Sequence, residues 1–109
     1  MDNAAVKVVK FGGSSLSDAV QFQKVRDIIL ADPARRYVVP SAPGRRFDGD
    51  DKVTDLLYRC YDMAVAGEDI DEVFSRITAR YDSIVADLGL ELDLSQQYQV
   101  IKNGFLCHV

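Results

Sequence analysis

The segment Lys10-Phe11-Gly12-Gly13-Ser14-Ser15 combines the residue types needed to hold an anion. Two consecutive glycines let the backbone approach a ligand closely, and their N–H groups can point at negative charge. Lys10 adds a full positive charge, and Ser14 and Ser15 add hydroxyl donors. The spacing is neither the P-loop G-x-x-x-x-G-K-[ST] nor the dinucleotide fingerprint G-x-G-x-x-G. The residues alone therefore allow two readings: a phosphate-holding loop, or a tight turn whose lysine lays its stem on apolar surface with its head in water. A second segment, Ser41-Ala42-Pro43-Gly44, is rich in turn residues and reads as a plain turn or as the other wall of a ligand crevice.

Both segments follow runs that must form strands. Ala5–Phe11 is β-branched and predicts a buried strand that ends in a sharp turn at Gly12-Gly13. Ser17 or Asp18 can cap the next element, Asp18 with Gln21 three residues on as a variant capping box. Phe22, Val25, Ile28 and Ile29 recur at helical spacing and Pro33 lies beyond them, which predicts a helix of roughly 13 residues. Tyr37-Val38-Val39, closed by Pro40, is a second short strand. Strand, helix, strand is a βαβ unit with parallel strands and a right-handed crossover, which brings the two loops to one edge of the sheet.

From Asp51 onward the period is helical. Val53, Leu56, Leu57, Cys60 and Ala64 share one face, with Gly67 as the stop. Asp69 with Glu72 opens another helix, along which Ile70, Val73, Phe74, Ile77, Tyr81, Ile84, Val85 and Leu88 form an apolar stripe up to Gly89. A shorter helix from about Leu94 carries Tyr98 and Ile101 and is expected to break at Asn103-Gly104. No repeat, linker or low-complexity segment interrupts the chain.

Composition narrows the function. The 109 residues are 48% hydrophobic and 28% charged, as in a single soluble domain. Thirteen Lys+Arg against 17 Asp+Glu give a net charge of -4, which disfavours a nucleic-acid partner. Apolar runs fall far short of the ~18–20 residues that cross a bilayer, and Met1-Asp2-Asn3 lacks the basic start of a secretory signal. Cys60, Cys107 and the single His108 make neither a disulfide scaffold nor a zinc cage, so no resident metal and a reducing cytoplasm are expected. Two strands followed by helices are a poor independent core, and the chain reads as the front of a larger α/β domain.

Three strings in order, V-V-K-F-G-G-S-S-L, V-V-P-S-A-P-G-R-R and K-V-T-D-L-L-Y, resemble the opening of aspartate kinases, within the amino-acid kinase superfamily. The resemblance runs along essentially the whole chain, with K-F-G-G-[ST]-S its most diagnostic motif. It implies the N-terminal part of a three-layer αβα catalytic domain, residues 1–109, without the regulatory ACT domains. It further implies ATP-dependent phosphorylation of the L-aspartate side-chain carboxylate to 4-phospho-L-aspartate, the first step of lysine, threonine and methionine biosynthesis. Lys10 then contacts the transferring phosphate, Gly12, Gly13 and Ser14 cradle it, Ser41 faces the nucleotide phosphates and Thr54 contacts aspartate, with Mg2+ bridging the phosphates. Lys10 and the glycine amides are expected to converge on one anion-sized space with Ser41 and Thr54 on its rim.

A substrate carboxylate is already a nucleophile at neutral pH, so this transfer needs alignment and charge neutralisation rather than a general base. The family's downstream S-x-G-E, glycine-rich and R-G-G-S-D-type motifs do not occur here, so the chain alone is expected to be inactive; the parent enzyme has room for a homo-oligomer. The alternatives are another superfamily member with a different acceptor, or a non-catalytic helical module whose Ile70–Leu88 stripe, left partly uncovered, packs on a partner. Among minor features, Arg45–Lys52 reads as a solvated charged loop or a lid. Tyr58, Tyr61, Tyr81 and Tyr98 read as core-edge aromatics with wet hydroxyls, and Cys60 as a small buried hydrophobe.

Overall fold

The computed structural model describes residues 5–107, so the readings that rest on Met1–Asn3 and on His108 lie outside the described residues. The chain is mixed α/β: β1 Lys7–Phe11, α1 Ala19–Ala31, β2 Arg35–Pro40, then α2 Val53–Val65, α3 Asp71–Asp87 and α4 Ser95–Leu106. It divides into two compact units, residues 1–52 and 53–109.

In the first unit β1 and β2 pair in parallel, Val8 opposite Tyr37 and Phe11 opposite Pro40, with α1 connecting them. A 3-10 turn over Gly13–Leu16 leads into α1. The Asp18 carboxylate caps that helix by accepting the Gln21 N–H at 3.0 Å, and α1 has the 13 residues its signals predicted. At the other end Asp32 receives the Lys7 ammonium at 2.7 Å and the Ala34 N–H at 2.9 Å, which fixes the turn into β2. Phe11, Leu16 and Val25 form the core of this unit, with Val9, Phe22 and Ile29 packed around them.

The expectation of a buried first strand is corrected. Of β1 only Phe11 is buried, and Val8 is 68% exposed. Side chains alternate across a strand, and α1 covers the face of Val9 and Phe11 only. Paired residues of parallel strands share a face, so Val8 and Tyr37 stand on the other side.

In the second unit α2, α3 and α4 pack on one another. Val53, Leu56, Cys60 and Ala64 of α2 are buried, as are Val73, Phe74, Ile77 and Ile84 of α3. The α3 stripe is thus covered from Ile70 to Ile77 and at Ile84, while Tyr81, Val85 and Leu88 are only half-buried, so its later turns are left partly bare as expected. Gly67 and Gly89 stop α2 and α3 with φ of 77° and 68°, a left-handed conformation that other residues resist. Asp69 does not form a capping box: its carboxylate accepts the Asp71 N–H at 2.9 Å, and α3 begins at Asp71. Nor does Asn103-Gly104 end the last helix. α4 continues to Leu106 because Phe105 packs edge-on against Phe74, 6.5 Å between ring centroids, and the Asn103 side chain accepts from Gln99 at 2.9 Å. Those contacts offset the ~1 kcal/mol that a mid-helix glycine costs.

Candidate functional site

The first unit assembles its candidates at the edge of the sheet where both strands end. Lys10 is the penultimate residue of β1 and is exposed. Gly12 follows the strand, and Gly13 and Ser14 open the 3-10 turn. The first hydrogen bond of that turn runs from the Ser15 N–H to the Gly12 carbonyl at 3.1 Å. The N–H groups of Gly13 and Ser14 therefore precede the intrahelical ladder, where donors are available for other acceptors. Ser41 is brought alongside because its N–H donates to the Phe11 carbonyl at 3.0 Å, extending the parallel ladder past β2. Buried Ser17 steadies the turn from beneath, its hydroxyl donating to the Ser14 carbonyl at 3.3 Å.

The two glycines differ. Gly12 has φ -77° and ψ 175°, backbone that any residue adopts, and a Cβ added there would meet nothing within 4 Å. The fold does not require glycine at this position; its bare, exposed backbone leaves room for a ligand. At Gly13 the space is tight, since a Cβ there would stand 3.0 Å from the Ala42 carbonyl oxygen and 3.2 Å from Gly44 Cα and would crowd both backbones by a few tenths of an ångström.

The loop after Gly44 is more ordered than its composition suggested. Asp50 is buried, and its carboxylate takes a two-point fork from Arg46, Nε at 2.7 Å and Nη2 at 2.9 Å, together with the Arg46 backbone N–H at 2.9 Å. The hydrogen bonds to Asp50 push the Arg46 guanidinium further toward its charged form, against the desolvation of partial burial. Sequence reasoning passed over this pair because Asp48, Asp50 and Asp51 look alike in a charged loop; Arg46 and Asp50 four apart were the only signal.

Thr54 belongs to the second unit. It is the second residue of α2, exposed, on the wall of a surface hollow of about 480 Å³ with Leu57, Tyr58, Tyr61 and Phe105. A separate apolar cavity of about 220 Å³ lies between α2, α3 and α4. Tyr98 lines it, its hydroxyl donating to Asp82 at 2.8 Å, and burial, followed by that hydrogen bond, pushes the phenol well above its ordinary range. Tyr58 and Tyr61 are exposed, while Cys60 is fully buried and its thiol raised by desolvation. No helix of the described residues is long and apolar enough to cross a membrane.

No family model matches the chain. Aspartokinase 3 of Bacillus subtilis (strain 168) is 46% identical over 85 residues, which are 78% of this chain and 19% of that protein. The crystal structure of the aspartate kinase of Clostridium acetobutylicum, described as an allosteric enzyme, superimposes with a TM-score of 0.86 at 44% identity. That match covers 91% of this chain and 23% of the other. The chain spans about a fifth of the length of the curated relative it matches. In sequence and in fold alike, the chain resembles a portion of an aspartate kinase.

Proposed function

We propose that the chain carries the phosphate-holding part of an aspartate kinase, which transfers the γ-phosphate of ATP to the side-chain carboxylate of L-aspartate in amino-acid biosynthesis. The observation that carries this reading is the edge shared by Lys10, the Gly12–Ser14 backbone and Ser41, with open space at a glycine the fold does not need. Two anions must be brought together for the transfer, and the charge on the migrating phosphoryl group must be neutralised. Lys10 supplies the positive charge, the Gly13 and Ser14 N–H groups and the Ser14 and Ser41 hydroxyls supply donors, and Thr54 contacts aspartate. ATP enters as its magnesium complex, with the ion carried by the phosphates. Among the described residues no group of three or more acidic, imidazole or thiol side chains offers a metal site of its own.

The test is a titration of the chain with MgATP followed through backbone amide resonances. Shifts are expected at Gly12, Gly13, Ser14 and Ser41, and Lys10→Ala should weaken binding about 10- to 100-fold, the scale of one charge-assisted contact. Absence of shifts at these residues would overturn the reading. Trapping with hydroxylamine should detect no acyl phosphate from this chain alone; hydroxamate that disappears in Lys10→Ala would show it to be a complete catalyst.

A further inference from the structure

The two loops at the sheet edge touch through backbone. The Gly44 N–H donates to the Gly13 carbonyl at 2.8 Å. A Cβ on Gly44 would stand 2.8 Å from the Gly13 carbonyl carbon and 3.0 Å from the Ser14 nitrogen, distances that would force these backbones apart. The peptide between Gly13 and Ser14 carries an N–H assigned above to phosphate, so its direction depends on where Gly44 stands. Gly44 is itself held from the other side. Two residues later Arg46 is clamped to the buried Asp50 by three N–H donors, and the Arg45 Nε donates to the Asp50 carbonyl at 3.0 Å. The Asp50 N–H closes the loop on the Phe47 carbonyl at 3.1 Å, and the Arg46 guanidinium lies 5.6 Å from the Phe47 ring centre. A buried carboxylate taking a forked arginine is a directional, costly arrangement that fixes whatever backbone carries it.

We propose that Gly44 and Asp50 are positioning residues of the phosphate loop: Asp50, through Arg46, holds the Gly44 backbone against the Gly13–Ser14 peptide and so sets the direction of the Ser14 N–H. The inference rests on reading that loop as the phosphate site, and neither residue touches the substrate.

The test uses the full chain and two measurements: amide resonances without ligand, and titration with inorganic pyrophosphate. Gly44→Ala and Asp50→Asn should each displace the ligand-free Gly13 and Ser14 resonances. Each should also weaken pyrophosphate binding about tenfold, the scale on which partners that orient a binding group act. Asp50→Glu, which keeps both acceptor oxygens, should recover part of the loss, whereas Asp48→Asn on the same loop should change neither measurement. Should Gly44→Ala disturb the whole sheet unit, Asp50→Asn carries the test, since it alters one atom. Unmoved Gly13 and Ser14 resonances in Asp50→Asn, or unchanged affinity despite a shift, would overturn the positioning role. Failure of the unsubstituted chain to bind pyrophosphate, with the ligand-free displacements present, would sink the phosphate reading and leave the backbone coupling standing.

Discussion

Gly12 separates folding from binding. Its backbone is ordinary and a methyl group there meets no protein atom, so Gly12→Ala removes unfolded-state freedom without native strain. Thermal or urea unfolding should show equal or slightly higher stability, by about 0.4–1 kcal/mol, while MgATP affinity falls because the methyl group occupies the ligand's space. Loss of stability with affinity intact would reverse both parts of that argument. The two cysteines give a second residue-scale expectation. Cys60 is fully buried with its thiol raised by desolvation, whereas Cys107 is exposed. A thiol reagent at neutral pH should modify Cys107 at once and reach Cys60 only as fast as the protein opens. Prompt modification of two thiols would show that the α2–α3 core is loose.

At the scale of elements, α4 is joined to α3 by Phe105 on Phe74, by Lys102 with Asp71 at 2.5 Å, and by the Tyr98 hydroxyl with Asp82 and with the Thr78 carbonyl. Burial and the Asp82 carboxylate both oppose ionisation of Tyr98, so its folded pKa exceeds its unfolded one. The unfolded chain then loses the proton first, and the stabilisation is complete below the unfolded value near 10 and declines as pH rises above it. Helical stability followed by circular dichroism should therefore fall above about pH 10, and Tyr98→Phe should flatten that decline while costing about 1 kcal/mol at neutral pH. An unchanged alkaline profile in the variant would remove Tyr98 from the account. The same elements show what a sequence can and cannot disclose. Asp18, Gly67 and Gly89 marked helix ends correctly because caps and left-handed stops are local chemistry. Gly104 misled because the contact that carries α4 through it, Phe105 on Phe74, joins residues 31 apart. Lys10, Gly12, Gly13, Ser14 and Ser41 could be placed on one edge from the βαβ order alone. The Gly13–Gly44 contact and the Arg46–Asp50 fork could not, since both depend on how a loop folds back.

At the scale of the molecule, the sheet is the weak structure. A parallel sheet is ordinarily covered on both faces and built from several strands, yet here two strands have one face under α1. The other carries Val8 at 68% exposure opposite Tyr37 at 61%, and beside Tyr37 on the same strand Val39 at 48%, which pairs with Lys10. Apolar surface of this kind is removed from water at about 25 cal/mol per Å², and both strands also offer unpaired backbone edges. The 109-residue chain should accordingly self-associate at micromolar concentration and bind an apolar dye such as ANS, with the sheet unit responsible. Replacing Val8 and Tyr37 together by threonine keeps strand propensity while shrinking the apolar face. Sedimentation velocity should then show a shift toward monomer and dye fluorescence should fall. Replacing Tyr58 on the exposed side of α2, itself 68% exposed, by serine should change neither. Association that follows the α2 substitution and ignores the sheet pair would place the adhesive surface on the helical unit instead.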